Sequence, residues 1–138
     1  MDLIESLKKQ ERLREDYWKN VDYFLSVRLK WRAQMVRHLF HLFPENSLLE
    51  VGSGSCQWTR EISAANGNRN PICAAIFNKE MYEGNQHGCF PENIERIHVD
   101  SFPGKLSERR FDFIVGYQLL TDENAGILLS ELKSLLKP

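Results

Sequence analysis

Residues 48–57 read Leu48-Leu49-Glu50-Val51-Gly52-Ser53-Gly54-Ser55-Cys56-Gln57. An apolar run ends in a carboxylate, turns through two glycines, and gives way to helical spacing at Trp58 and Ile62. That order predicts a buried strand, a tight turn and a helix start. Glycine in such a turn permits positive φ and leaves bare backbone for a ligand to lie against. The helix N-terminus beyond it offers free N–H groups to a polar or anionic ligand part. In an open α/β sheet, ligands settle at the carboxyl ends of the strands near the topological switch point.

Three more short apolar runs follow. Pro71–Phe77 comes after the turn-rich Asn66-Gly67-Asn68-Arg69-Asn70, and Asn78 is placed to cap a helix through Met81 and Tyr82. Ile94–Val99 and Phe111–Tyr117 are the third and fourth strand candidates. A last helix is expected from about Thr121 to Leu136, with Ile127, Leu128, Leu132, Leu135 and Leu136 as its apolar stripe. Strands apolar on both faces that alternate with helices indicate a parallel sheet covered on both sides. Right-handed crossovers make this a doubly wound, Rossmann-like α/β fold of about four strands, spanning 44–138.

Ahead of it, 1–43 reads as an N-terminal helical arm. Asp2 and Glu5 have the spacing of a capping box, with Asp in place of Ser or Thr. Apolar residues recur at helical intervals (Leu3, Leu7; Tyr17, Val21, Phe24; Val36, Leu39, Phe40, Phe43), and Pro44 should end the helix. Nine of the eighteen basic residues lie between Lys8 and Arg37, with acidic residues mixed among them. The charges read as a solvated face, and Trp18 and Trp31 as packing residues.

Composition narrows the function classes. With 138 residues there is room for one folding unit, and 42% hydrophobic content excludes a disordered chain. A formal charge of −1 gives no bulk pull toward nucleic acid or an anionic membrane. Three cysteines without a Cys-x-x-Cys pair argue against a disulfide scaffold and for a reducing, cytoplasmic setting. His87 and Cys89 are too few for a closed zinc site, so no metal is expected. No apolar stretch approaches the ~20 residues of a membrane span, and the charged start at Asp2, Glu5, Lys8 and Lys9 is unlike a signal peptide.

A dinucleotide fingerprint would need glycine where Gln57 stands, and a carboxylate at the end of the second strand. That strand reads Ile72-Cys73-Ala74-Ala75-Ile76-Phe77-Asn78, so a nicotinamide-dependent dehydrogenase is set aside.

The chain resembles the class I S-adenosylmethionine-dependent methyltransferases from about Ser47 to Pro138. Leu49-Glu50-Val51-Gly52-Ser53-Gly54-Ser55 is similar to the family's first motif. His98-Val99-Asp100-Ser101-Phe102 resembles its third-strand motif, and Phe111-Asp112-Phe113-Ile114-Val115-Gly116-Tyr117-Gln118 its fourth strand. Leu132-Lys133-Ser134-Leu135-Leu136-Lys137-Pro138 is similar to the helix end that follows.

The resemblance implies S-adenosyl-L-methionine as cofactor and methyl transfer by in-line displacement to a small-molecule acceptor. It implies cofactor contacts from Glu50, Gly52, Ser53, Gly54, Ile76, Phe77, Asn78, Asp100, Ser101 and Gln118, Asp100 accepting from the adenine amino group. No catalytic residue is assigned. The sequence departs from the family at Cys56, near a usual third glycine, and at Asn78, in the neighbourhood of an acidic residue that holds the ribose hydroxyls. The alternative is a non-catalytic, degenerate cofactor-binding module of a larger protein. The family's sheet has more strands than the four found here, so the fourth-strand edge is expected to need a C-terminal region or a second copy to cover it.

Overall fold

A computed structural model describes residues 2–21, 24–84 and 88–138; His87, of the His87–Cys89 pair, lies outside them. Two helices come first, α1 (Leu3–Val21) and α2 (Leu25–Phe40). The rest alternates: β1 (Leu48–Val51), α3 (Gln57–Ala65), β2 (Ile72–Ile76), α4 (Lys79–Gly84), β3 (Ile94–His98), β4 (Phe113–Gly116) and α5 (Ala125–Ser134). All strand pairs are parallel, in the order β3-β2-β1-β4. From β1 the chain builds outward through β2 and β3, then returns to the other side of β1 for β4. The switch point therefore lies at the carboxyl end of β1, beside Gly52. The expected Rossmann-like sheet with helices on both faces is present.

The two faces of the sheet carry separate cores, as the pleat requires. Leu49, Val51 and Phe77 pack with Leu7 of α1, Leu106, and Leu128 and Leu135 around α5. Leu48, Ile72 and Ile76 pack with Leu29 and Ala33 of α2, Trp58 and Ile62 of α3, and Trp18 of α1. Leu7 and Trp18 thus belong to opposite faces. Helix α1 crosses over the carboxyl ends of the strands, anchored at both ends.

The expected solvated face is present at Lys9, Arg12, Asp16 and Lys19, but the crossing breaks it at three charges. Glu11, Arg14 and Glu15 are buried on α1, whereas Tyr17, Phe24, Leu39 and Phe43 of the expected apolar stripe are exposed. Trp18 packs as expected, while Trp31 is 62% exposed. Capping holds at the helix start, where the Glu5 amide donates to Asp2 Oδ1 at 3.0 Å. Helix α2 stops short of Pro44 because His41 takes a left-handed conformation (φ 49°) and the Leu42 amide closes back on the Arg37 carbonyl.

Strand β4 is shorter than expected. Asp112 Oδ2 accepts from the Ser47 amide and hydroxyl and from Lys137, contacts that hold its carboxyl below the usual range. Phe111 is drawn out of the ladder to bridge Leu136. Helix α5 begins after a reciprocal pair: the Thr121 amide donates to Asn124 Oδ1, and the Asn124 amide to Thr121 Oγ1. Asn124 plays the part Glu has in a capping box.

Among the described residues, strand β4 pairs with β1 alone. Between β4 and α5 lies an apolar groove of about 300 Å³ lined by Val51, Ile114, Leu119, Leu128 and Leu132. Among the described residues, no helix is long and apolar enough to cross a membrane.

Candidate functional site

The turn after β1 is built as its glycines require. Gly52 and Gly54 have φ of 76° and 56°, and the amides of Gly52 and Ser53 both donate to the Ala75 carbonyl at 2.9 Å. Ser53 Oγ donates to the Glu50 carbonyl, tightening the loop. Cys56 also sits at positive φ (64°), the conformation for which glycine is the default residue. Its thiol is buried and pushed up to about 11, which leaves it inert at neutral pH.

Glu50 lies beneath this loop, 1% exposed. Its Oε1 accepts from Thr59 Oγ1, while Oε2 is buried without a hydrogen-bond partner. Burial raises the Glu50 carboxyl, with the Thr59 hydrogen bond and the nearby Arg14 charge opposing. A buried, half-satisfied carboxylate is costly, so in a native fold it calls for an explanation.

Above the loop sits α1. Arg14 Nη1 donates to the Gly52 carbonyl at 2.5 Å, and Nη2 to Glu15 Oε1 at 2.9 Å. Glu15 in turn accepts from the Ser55 amide (3.1 Å) and hydroxyl (2.8 Å). Glu11 accepts from the amides of Gly54, Phe77 and Asn78, at 3.1, 3.2 and 2.9 Å, and from the Asn78 side chain. Burial raises the Glu11 carboxyl too, against the hydrogen bonds from Asn78 and Phe77 and the Arg14 charge.

Sequence reasoning placed none of these three residues in the site. A signal was present: Leu7, Glu11, Arg14 and Trp18 are spaced four, three and four apart. They form one helical stripe, apolar at its ends and charged in its middle.

The residues expected at the site fall into three groups. Glu50, Gly52, Ser53, Gly54, Phe77 and Asn78 converge on the underside of α1. Asn78 does not cap α4 with its side chain; its backbone carbonyl receives the Met81 and Tyr82 amides, while its amide group donates to Glu11 and to the Lys8 carbonyl. The oxygen that would cap α4, Asn78 Oδ1, instead accepts from Arg12 Nη2 at 2.9 Å. Asp100 and Ser101 stand exposed just past β3, and Gln118 stands exposed past β4 with φ 55°. Ile76 points into the core beneath α2 and α3, whereas Phe77 meets Phe102 edge-on at 6.0 Å.

Beside the loop, a cavity of about 370 Å³ is lined by Gln10, Leu13, Arg14, Tyr17, Gln118 and Leu120. Its neighbour across α1 is an aromatic cluster in which Tyr117 meets Trp18 and Trp58 edge-on at 5.3 and 5.4 Å. Among the described residues, no group of three or more side chains is placed to hold a metal ion.

No family model matches the chain. It is 26% identical over 110 residues to the demethylmenaquinone methyltransferase of Staphylococcus haemolyticus, covering 78% of this chain and 46% of that protein. The chain thus spans about half the length of the curated relatives it matches. Two crystal structures resemble it along its whole length at 12% identity. One is the O-methyltransferase TomG from Streptomyces achromogenes, involved in tomaymycin synthesis and bound to S-adenosylmethionine, with a TM-score of 0.60 over 62% of that protein. The other is the O-methyltransferase of Bacillus cereus in complex with S-adenosylhomocysteine, at 0.61 over 63%. These likenesses establish the fold.

Proposed function

We propose that this chain is the cofactor-binding part of an S-adenosylmethionine-dependent methyltransferase acting on a small molecule in a reducing, cytoplasmic compartment. One observation carries the reading. At the switch point, the left-handed Gly52–Gly54 turn lies beside a buried carboxylate whose Oε2 has no hydrogen-bond partner. The polar groups around it fit the methionine end of the cofactor: an acceptor carbonyl at Gly52 and an unpaired carboxylate for a cation, and amides at Gly54 and Ser55 for a carboxylate. The named relative and both structural neighbours are methyltransferases, which points the same way.

When bound, S-adenosylmethionine supplies an electrophilic methyl group on a sulfonium. The work left to this chain is to hold that group and to align an acceptor near contact distance. Glu50 and Gly52 favour the cationic end, and the loop amides orient it. Phe77 and Asn78 flank the next portion, with Asp100 and Ser101 beyond them, while Ile76 stays in the core beneath α2 and α3. Gln118 borders the cavity against α1, where an acceptor has room. Among the described residues that line this cavity there is no carboxylate or imidazole to act as a general base, and a base is needed only for a protonated acceptor. The outer edge of β4, paired on one side only, is where a further segment or a second copy would complete the sheet.

The second reading, a non-catalytic module, has its own observation. The Asn78 side chain is committed at both ends, Nδ2 donating to Glu11 and the Lys8 carbonyl and Oδ1 accepting from Arg12, so it is not free to hold a ribose diol. Calorimetric titration with S-adenosylhomocysteine and with NAD tests the proposal. Saturable one-to-one binding of the first and none of the second is expected; the reverse preference would overturn it.

Asp100 gives a sharper test. Its carboxylate is exposed. Asp100→Ala is therefore expected to weaken S-adenosylhomocysteine binding by roughly 1–3 kcal/mol, the range for a hydrogen bond to a charged group, with no fall in melting temperature. Unchanged affinity removes Asp100 from the site; a lower melting temperature alone makes it a turn residue.

A further inference from the structure

The loop that the methyltransferase reading assigns to the cofactor is already engaged by the protein itself. The Gly52 carbonyl holds a cation, Arg14. The Ser55 amide holds a carboxylate, Glu15, and the amides of Gly54, Phe77 and Asn78 hold another, Glu11. The space is taken as well as the hydrogen bonds. A methyl group built on Gly54 would collide with the Glu15 carboxylate and would lie 2.8 Å from Arg14 Nη2.

We infer that α1 is an intramolecular stand-in for the cofactor: Arg14, Glu15 and Glu11 occupy the carbonyl and amides that the cofactor would use, so that loading requires α1 to move off the loop. The inference rests on the methyltransferase reading of the Gly52–Gly54 turn. S-adenosylmethionine carries an ammonium and a carboxylate on one carbon, and α1 presents a guanidinium and a carboxylate from adjacent residues to the same stretch of backbone.

The electrostatics make this a seat that can be vacated. Glu11, Glu15 and Glu50 are all buried, with Arg14 the cation among them. Arg12 adds charge at the exposed side of α1, where it pairs with Glu80. Burying carboxylates in excess of their cation carries a desolvation cost that hydrogen bonds only partly offset. Leu7 and Trp18 hold α1 in the two cores at its ends, so clearing the loop means opening the helix turns between them. A ligand that binds only the vacated state has its apparent affinity reduced by the fraction of molecules in that state.

The test uses the whole chain, as wild type, Glu11→Ala and Glu15→Ala, with S-adenosylhomocysteine as probe. Melting curves establish that each variant is folded. Calorimetry gives the affinities, and hydrogen exchange follows α1 in the wild type with and without saturating ligand. The expected result is at least tenfold tighter binding by each variant than by the wild type. In the wild type itself, exchange at the α1 amides of residues 8–18 should speed up on ligand addition. Affinity equal to or weaker than wild type in the variants, with α1 exchange unchanged or slowed, overturns the inference and leaves the methyltransferase reading standing. Absence of saturable binding in all three proteins overturns both.

Discussion

Gly54→Val is expected to abolish S-adenosylhomocysteine binding and to lower stability by roughly 2–4 kcal/mol. Gly54 has φ 56°, a region where a β-branched residue is a strong outlier. The new side chain would also enter the space held by the Glu15 carboxylate and Arg14 Nη2, two buried groups that would have to give up their hydrogen bonds to the loop. Both effects act on the loop, so the rest of the sheet should persist and the variant should melt cooperatively at a lower temperature. Expelling Arg14 and Glu15 does not restore binding here, because the valine occupies the vacated space. Retained affinity in a folded variant takes the loop out of the site.

Glu50→Gln is expected to separate stability from binding. The wild-type carboxylate is buried with one oxygen unpaired, and burial raises it above its ordinary value near 4.5. A carboxyl raised in the folded state binds its proton more tightly there than in the unfolded chain, so wild-type stability falls as pH rises from about 4.5 through the raised value. Glu11, raised by the same cause, adds to the fall. Glutamine keeps an acceptor for Thr59 and removes the charge, at the expense of a new buried donor. The variant should be more stable than wild type by about 1 kcal/mol at pH 8, with the gap closing as pH falls toward 4.5. Binding of S-adenosylhomocysteine should drop at least tenfold, since the lost charge is the one that faces the ligand's cation. A variant that is less stable at pH 8, or that binds as wild type does, contradicts this account of Glu50.

The parallel sheet was legible because its cause is local. Four short runs, apolar on both faces and set off by turns, leave little choice but strands covered on both sides. The glycine turn was legible for the same reason: two glycines one residue apart, between a strand and a helix, announce positive φ. Strand ends were less so. Phe111 reads as part of β4, but Asp112 turns to Ser47 and Lys137 and hands Phe111 to the chain end near Leu136. Helix α2 reads as running to Pro44, yet the left-handed His41 stops it at Phe40.

The part of the site on α1 was illegible for a physical reason. Charged residues on a helix ordinarily mark its solvated side, and Glu11, Arg14 and Glu15 are buried only because they meet unpaired backbone groups from β1 and β2. Those amides and that carbonyl exist in any sequence. What exposes them is the turn and the switch point, which are tertiary facts. Trp31 and Trp18 show the same limit from the apolar side: equal hydrophobicity, one buried at 5% and one left 62% exposed. The stripe from Leu7 to Trp18, charged at its centre, was the one clue in the sequence itself.

An amide-resolved NMR titration of the full chain with S-adenosylhomocysteine locates the bound ligand. The loop account predicts that the largest shifts fall on the amides of Gly52, Gly54, Ser55, Phe77 and Asn78, followed by those of α1 around Glu11 to Glu15. Shifts confined to the groove along β4 and α5, or absent from the Gly52–Ser55 loop at saturation, would contradict it.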